Sequence, residues 1–458
     1  MEFQDGPGER STGDPAGLAG VDPGSPEQRR RAVVGSSVGT VIEWYDFTLY
    51  GLAAALVFAP SFFGDSGLAG TLGAFATFAV GFGARPIGGL LFAHAGDRLG
   101  RKGTLLVTLL TMGLSSTLIG LLPTADSIGL WAPVLLIVLR IAQGAGAGAE
   151  FAGAMTMASE SAHGRNRAFT AGFPGAAVYV GMALATTTFA VLTAVLSEEA
   201  FLSWGWRVPF VASALIVVWA LYFRLRVQET PAFRAAEGAG VVQRAPVVEA
   251  VRSHWRVLLP GMALFVFALP WVYVVQTFSV SYTTKTLTVE PSHALIGLIV
   301  AEVLTIPATL VAGRIADRVG RKPVLTASAL FGVVFAFPMF ALYRTEDSFL
   351  VAVGLVLGLA VVQGGTIGVS AAMLAELFPT SLRWSGIAIS REIPAALVGG
   401  TAPLVATWFV SVSGGAPWLV AGYLVVLSVV GVVGIRALPE TLDRDVRVVE
   451  REAGGVRS

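Results

Sequence analysis

The stretch AHAGDRLGRK at residues 93–102 returns as GRIADRVGRK at residues 313–322, 220 residues further along a chain of 458. Each copy follows a long apolar segment and combines an aspartate with a cluster of basic residues. A motif that recurs at equivalent places is the sequence trace of an internal repeat. The two copies therefore predict a chain built from two related halves.

The rest of the chain is strongly apolar. Hydrophobic residues make up 54% and charged residues 13%, and the mean hydropathy is +0.72. A soluble protein of this length needs a more charged surface, so a lipid bilayer is the expected solvent. A net charge of +1 without any basic patch among aromatic residues argues against nucleic acid as a partner. The chain has no cysteine and four scattered histidines, so neither a metal nor another cofactor is expected.

Twelve apolar segments are long enough to cross a hydrocarbon layer. They predict an all-α membrane protein whose twelve transmembrane helices form two pseudo-symmetric six-helix bundles. The predicted spans are 32–59, 69–93, 104–123, 130–158, 167–196, 205–225, 257–281, 293–316, 323–343, 348–375, 384–411 and 416–437. The predicted domains are a disordered cytoplasmic tail (1–28), two bundles (29–225 and 257–437), a cytoplasmic linker loop between them (226–256) and a second cytoplasmic tail (438–458).

The basic residues predict the orientation. Of 31 lysines and arginines, 25 fall in the termini and in loops on the same side of the predicted membrane. Basic residues of a membrane protein are enriched on the cytoplasmic side, so both termini are expected in the cytoplasm. The protein is expected to be a multi-pass protein of the plasma (inner) membrane, in contact with its lipids. The other six lie in opposite loops or within spans: Arg207, Lys285, Arg344, Arg85, Arg140 and Arg391.

The repeated D-R-x-G-R-K motif resembles the cytoplasmic signature of the major facilitator superfamily, in which the acidic residue and the arginines clamp neighbouring helices. The alternative is that these charges only set the topology and bind lipid phosphates. The first copy has Ala93 where the family usually has glycine. The resemblance implies a cytoplasmic gate formed by Asp97, Arg98, Arg101, Lys102, Asp317, Arg318, Arg321 and Lys322.

Further segments resemble the metabolite:proton symporter family, which includes shikimate, α-ketoglutarate, citrate and betaine/proline permeases. The resemblance implies the major facilitator fold and a transporter that works by alternating access with the proton as its coupling ion. It identifies no single substrate, because SREIP at 390–394 stands where a polar Tyr-Gln pair is usual. The matching segments are EWYDF (43–47), RPIGG (85–89), Arg140 with Gln143-Gly144 and Glu150, WGWRVPF (204–210), ETPAF (229–233) and ELFPT (376–380).

Ionisable side chains inside spans are costly and are therefore candidates for function. Glu43 and Asp46 share one helix face, and Arg85 is placed to pair with a carboxylate there. A carboxylate that exchanges its arginine for a proton can couple proton entry to transport, whereas a static salt bridge is the alternative. The candidates for proton coupling are Asp46, Glu43, Arg140 and Glu150, and Arg140 resembles the fourth-helix arginine that the superfamily associates with proton transfer.

Arg391 and Glu392 are adjacent charges in the eleventh predicted span. Adjacent helical residues point about 100° apart, so the two are expected to have different partners, with Glu302 as a partner for Arg391. The alternative is that both lie near the membrane surface and extend towards water. The candidates for substrate binding are Arg391, Glu392, Arg140, Tyr45, Tyr179, Glu302 and Gln276.

These patterns predict a proton-coupled symporter, acting as a monomer, that imports a small organic anion such as a shikimate-like or dicarboxylic acid. Alternatives are uptake of a zwitterionic osmolyte such as betaine or proline, and export of a small metabolite. An alternative from a different functional class is a membrane receptor or an enzyme that transports nothing. The sequence shows no metal cluster, serine–histidine pair or phosphate-binding loop, so catalysis is not expected.

Overall fold

The computed structural model describes residues 26–64, 67–148, 166–226, 246–379 and 382–442. Within these ranges, thirteen α-helices have nine residues or more. They are α1 (Pro26–Leu56), α2 (Leu68–Leu121), α3 (Trp131–Ala147), α4 (Arg167–Val195), α5 (Arg207–Arg226), α6 (Pro246–Tyr273), α7 (Pro291–Val319), α8 (Arg321–Tyr343), α9 (Ser348–Val356), α10 (Ile367–Leu377), α11 (Arg383–Pro394), α12 (Ala402–Val412) and α13 (Trp418–Ala437).

Several of these helices are joined by π-helical turns, which accommodate one extra residue in a turn. Val274–Phe278 and Tyr282–Thr286 continue α6, so that one apolar span runs from Val251 to Thr286. Leu357–Gln363 lies between α9 and α10, and Ala395–Gly399 lies between α11 and α12. Each of these two helix pairs therefore crosses the membrane once.

Helix α2 reverses its direction. A Cβ atom added at Gly88 would lie 2.2 Å from the backbone oxygen of Ala145 on α3, and one added at Gly146 would lie 2.8 Å from the backbone oxygen of Thr108. Residues 88 and 108 of α2 thus contact neighbouring residues of α3. In a straight helix these positions would be about 30 Å apart. Helix α2 therefore contains two spans, Leu68–Gly89 and Leu106–Leu121.

The two motif copies differ in backbone structure. In the second copy, Gly320 has φ +107°, a conformation that favours glycine, and α7 ends there before α8 begins. The first copy was predicted to form a loop between two helices. It lies between the spans Leu68–Gly89 and Leu106–Leu121, where α2 turns back, although the backbone there keeps helical hydrogen bonding.

The described residues account for twelve crossings. Eight segments are long and apolar enough to span a membrane, and Leu106–Leu121 and Trp131–Ala147 are shorter apolar helices. Helices α1 and α5 complete the set. The predicted all-helical, twelve-span architecture is thereby supported, whereas the bundle boundaries remain a prediction because residues 227–245 lie outside the described part.

The two halves, α1–α5 and α6–α13, meet along closely packed helices. Gly313 on α7 leaves space for Ala168 at the start of α4, since an added Cβ would lie 2.7 Å from the Ala168 oxygen. Near the other end, a Cβ at Gly51 would lie 2.8 Å from Thr277 Oγ1. Backbone contact of this closeness is what glycine permits between membrane helices.

We predict that single cysteines will report the orientation of this cysteine-free chain. Ser348 and Ala437 are exposed at opposite faces, at the start of α9 and the end of α13. An impermeant thiol reagent applied to intact cells is expected to label Ser348→Cys, whereas Ala437→Cys should react only after permeabilisation. The reverse labelling pattern would place both termini outside.

Candidate functional site

Seven charged side chains are buried in the middle of the described spans, each at most 6% exposed. A buried charge is costly unless it is paired, hydrogen-bonded or neutralised by a proton. The seven are Arg85, Arg140, Arg391, Glu43, Asp46, Glu302 and Glu392. This layer has one more carboxyl group than it has guanidinium groups. Electrical neutrality therefore requires a proton on one carboxyl group.

Arg85 on α2 connects the two halves. Its Nη2 lies 2.9 Å from Glu43 Oε1 on α1, and its Nε lies 2.8 Å from Glu392 Oε2 on α11. Arg391 Nη1 contacts the other oxygen, Oε1, of Glu392. We call Glu43, Arg85, Glu392 and Arg391 the quartet. Its charges alternate in sign and sum to zero, so all four groups can stay ionised.

The quartet corrects one expectation from the sequence. Arg391 and Glu392 were expected to have different partners, but their side chains meet and Glu392 also pairs with Arg85. A long arginine side chain can cover the angle that separates two adjacent helical positions. Both residues are buried, so neither extends to the membrane surface. Glu302, the expected partner of Arg391, instead accepts a hydrogen bond from Thr186.

The hydrogen-bond donors of Asp46 among the described residues are neutral. Its carboxylate accepts hydrogen bonds from Ser116 Oγ at 2.7 Å and from Ser213 Oγ at 2.8 Å. Gln143 Nε2 donates to Ser116 Oγ at 2.6 Å, and Arg140 Nη1 donates to Gln143 Oε1 at 2.6 Å. We call this chain of donors, which points from Arg140 to Asp46, the relay. Asp46 can accept a proton without breaking an ion pair, while the relay stabilises its ionised form.

Arg140 is held by aromatic rings. Its Cζ lies 3.9 Å from the ring centre of Tyr50 and 4.8 Å from that of Phe47, distances typical of cation–π contact. Gly81 makes room for it, since a Cβ there would lie 2.2 Å from Arg140 Nε. Two of its nitrogens, Nε and Nη2, have no hydrogen-bond partner among the described residues. The structure thus places Arg140 inside the first half, at the start of the relay.

A cavity of about 30 Å³ lies between the halves. Its volume suits one or two water molecules, so a metabolite can enter only when the halves separate. The indole N–H of Trp44 and the hydroxyl of Tyr179 have no hydrogen-bond partner in the described part of the chain. The polar residues that line the cavity are Trp44, Tyr179, Gln363, Thr366, Ser370 and Arg391.

Other predicted site residues lie outside this lining. Tyr45 is buried against Gly181 on α4, where an added Cβ would lie 3.0 Å from the Tyr45 nitrogen. Gln276, in the π turn after α6, and Glu302 on α7 are both buried. Glu150 and the side chains of Asp97, Arg98, Arg101 and Lys102 fall outside the described residues. Among the described residues, no group of three or more His, Asp or Glu side chains could hold a metal ion.

The model of one protein family, described as "Sugar (and other) transporter", matches residues 32–453. The chain belongs to the sugar (and other) transporter family. This transporter is 37% identical to the shikimate transporter of Escherichia coli K12 over 407 residues, 86% of this chain and 92% of the relative. It is 38% identical to the E. coli K12 inner membrane metabolite transport protein YhjE over 387 residues, 83% and 88% of the two chains. It is 32% identical to the E. coli K12 proline/betaine transporter over 427 residues, 91% and 85% of the two chains.

Solved structures of the major facilitator superfamily share the fold of this transporter. The xylose transporter XylE from E. coli, in a partially occluded inward open conformation, superposes with a TM-score of 0.71 at 18% identity and covers 92% of this chain and all of XylE. A XylE complex with 6-bromo-6-deoxy-D-glucose also gives a TM-score of 0.71, over 93% of this chain and 99% of XylE. The predicted fold and family are thereby confirmed, and the protein is a multi-pass membrane transporter and not an enzyme.

The second motif copy of this transporter forms a contact between the halves that we call the latch. Asp317 accepts hydrogen bonds from the backbone N–H groups of Ala168 and Phe169, at 3.0 and 2.8 Å, in the first turn of α4. Arg321 pairs with Glu376 on α10 at 2.9 Å and with Asp317 at 3.2 Å. A carboxylate at a helix N-terminus meets unpaired N–H groups and the positive end of the helix dipole. The latch therefore joins one half to the other by charge-assisted contacts.

Glu440, just beyond α13, stabilises the same end of the transporter. Partial burial raises the pKa of its carboxyl group, but the N–H groups of four residues donate to it and hold the pKa below its ordinary value. This contribution is present above the ordinary pKa and is lost as pH falls through the lowered pKa. The donors are Arg321, Thr441, Lys322 and Leu442.

The remaining gate residues of the second copy lie near the latch. Lys322 Nζ donates to the backbone oxygen of Arg436 at 3.0 Å, while Arg318 is exposed. Sequence reasoning missed Glu440, although a signal exists: Glu440-Thr441 follows the last span as Glu229-Thr230 follows the sixth. It also missed Ser116 and Ser213, since serines are common in membrane helices and carry no charge.

We predict that Asp317→Ala weakens the latch. Loss of the cap on α4 should cost about 0.5–2 kcal/mol, which favours opening by roughly twofold to thirtyfold. A maleimide should then react faster with Thr309→Cys, a buried position on α7 against α4. The matched control is Asp347→Ala, because Asp347 caps α9 within one half. Equal labelling rates in the Asp317→Ala and control proteins would show that the latch does not hold the halves together.

Proposed function

We propose that this transporter is a proton-coupled symporter that imports a small organic anion, such as a shikimate-like acid, across the plasma (inner) membrane. The observation that carries the proposal is a set of hydrogen-bond donors at the cavity, two of them without a partner in the described part of the chain. Arg391, the Trp44 N–H and the Tyr179 hydroxyl line it, and the last two have no partner among the described residues. A carboxylate with neighbouring hydroxyl groups supplies the acceptors that these donors lack.

Asp46 supplies the proton site of this proposal. Glu43 and Glu392 are fixed by arginines, whereas the described donors to Asp46 are two serines. Protonation of Asp46 therefore breaks no ion pair. An entering anion adds negative charge to a layer that already has an excess carboxyl group, so anion entry favours proton uptake. The similarity to the E. coli shikimate transporter supports an organic anion as the substrate.

A zwitterionic osmolyte is the second candidate. The quartet has no net charge, so a zwitterion could exchange contacts with it without changing the charge balance. The stacked rings of Trp44 and Tyr273, with centroids 6.3 Å apart, could hold a quaternary ammonium group. The similarity to the proline/betaine transporter supports this alternative.

Transport by purified protein in proteoliposomes tests both candidates. Labelled shikimate and labelled glycine betaine are supplied separately, with an alkaline interior and the membrane potential clamped at zero. The proposal expects shikimate to accumulate and the accumulation to collapse when a protonophore is added. Accumulation of glycine betaine alone would favour the osmolyte function, and downhill equilibration of either probe would refute proton coupling.

A further inference from the structure

Glu302 is a second buried carboxyl group that forms no ion pair with the described residues. It is 0% exposed on α7, at the contact between the two halves. Thr186 Oγ1 on α4 donates to its Oε1 at 2.9 Å, and its Oε2 has no hydrogen-bond partner in the described part of the chain. An ionised carboxylate with one donor in such a place is far more costly than a neutral acid.

The elements packed around Glu302 supply polar groups but no cation. Helix α4 contributes Thr186 and the titratable Tyr179, which interacts electrostatically with Glu302. The π turn after α6 places the Gln276 amide beside the carboxyl group, and neither amide atom makes a regular hydrogen bond. No arginine or lysine of the described chain acts on Glu302. A proton is therefore the only positive charge that these surroundings can offer it.

We infer that Glu302 is a second proton-binding site, which carries a proton while the halves are closed and releases it when they separate. Its role in transport rests on the symport proposed above. Oε1 accepts a hydrogen bond from the Thr186 hydroxyl, so the proton belongs on Oε2, which has no hydrogen-bond partner among the described residues. Proton transfer here is an acid–base exchange with water and needs no other reactant.

The position of Glu302 explains how proton release would follow the transport cycle. Thr186 belongs to the first half, whereas Glu302 and Gln276 belong to the second. Separation of the halves removes the Thr186 donor, which favours the acid, and admits water to a fully buried carboxyl group, which favours the anion. Hydration is the larger of the two effects for a group buried this completely, so separation favours proton release. Asp46 differs, because Ser116 and Ser213 belong to the same half as Asp46 itself.

The charge balance then points to a monoanionic substrate. With protons on Asp46 and Glu302, the layer retains three arginines and two ionised carboxylates, Glu43 and Glu392. Its net charge is one positive unit. A monocarboxylate neutralises this charge, whereas a dicarboxylate would leave an excess negative charge in the closed state. The two-proton arrangement therefore favours a monocarboxylic acid over a dicarboxylic acid.

Infrared spectroscopy of the purified protein at neutral pH tests the proton site without any substrate. Exposed carboxyl groups are ionised there, so the carbonyl stretch of protonated acids reports buried ones. Glu302→Gln is expected to remove one component of this band. The control Glu376→Gln should remove none, because Glu376 is paired with Arg321. An unchanged band in Glu302→Gln would overturn the inference.

A second variant covers the case in which Glu302→Gln fails to fold. Thr186→Val keeps the acid but removes the hydroxyl that donates to its carbonyl oxygen. The band component is then expected to move to higher wavenumber. A spectrum of Thr186→Val identical to that of the wild type would also overturn the inference.

The proton stoichiometry provides the functional test, with labelled shikimate as the probe. Each coupled proton multiplies the limiting accumulation ratio by about ten for one unit of pH gradient. The wild type should reach about a hundredfold and Glu302→Gln about tenfold. A ratio that is the same in both proteins would overturn the role of Glu302 in coupling. No accumulation by the wild type would refute the symport proposal, and the infrared result alone would then decide the proton site.

Discussion

Replacing Asp46 with asparagine is expected to lower the limiting accumulation of shikimate about tenfold per unit of pH gradient, while substrate exchange continues. Asparagine can still accept hydrogen bonds from Ser116 and Ser213, but it cannot bind and release a proton. The measurement is the accumulation ratio in proteoliposomes at several pH gradients, with exchange of labelled for unlabelled shikimate assayed in parallel.

Two companion variants define this result. Glu43→Gln is the control, because Glu43 is an ion-paired carboxylate on the same helix face. This variant should leave the dependence of the accumulation ratio on the pH gradient unchanged, even if transport is slower. Combining Asp46→Asn with Glu302→Gln should abolish accumulation. If Asp46→Asn alone retains the full dependence, then Asp46 is structural and the relay serves only to hold α1 in place.

Truncation of Arg391 to alanine is expected to weaken shikimate binding by about 2 kcal/mol or more, roughly thirtyfold. Arg391 is the charged group that lines the cavity, and its planar guanidinium can hold a carboxylate with two hydrogen bonds. Lysine cannot reproduce that geometry, so Arg391→Lys should bind more weakly than the wild type but better than Arg391→Ala. Direct binding of labelled shikimate to detergent-solubilised protein measures the difference.

The structure supplies a control for this prediction. Arg344 is an exposed arginine at the end of α8, and Arg344→Ala removes the same charge away from the cavity. It should bind shikimate as the wild type does. Glu392 keeps Arg85 as a partner in Arg391→Ala, so the variant is expected to fold. Wild-type affinity in a folded Arg391→Ala protein would remove Arg391 from the substrate site.

Much of the fold could be predicted from the sequence because the relevant signals are local. Apolar length indicates each span, and the repeated D-R-x-G-R-K motif indicates the two halves. The pairing of Glu43 with Arg85 could also be predicted from the sequence, because two opposite charges at similar depth in neighbouring spans each need a partner.

The candidate site in the second half was harder to predict. A π turn adds one residue and so rotates the following helix face by about 100° relative to a continuous α-helix. Gln276 lies in such a turn, beside Glu302 and outside the cavity lining. The contact between Glu392 and Arg85 depends on the packing of α11 against α2, which no local pattern contains. Ser116 and Ser213 were missed because their importance comes only from their proximity to Asp46.

The neutrality of the quartet determines where membrane voltage can act. An electric field does no net work on a group of zero charge, so the quartet contributes nothing to voltage dependence. Arg140, Asp46 and Glu302 remain, and in the open, empty carrier, after both protons have left, they sum to one negative charge. Moving one charge across a potential of 100 mV changes its free energy by about 2.3 kcal/mol. In a membrane with a negative interior, the voltage would therefore favour the outward-open empty carrier over the inward-open one.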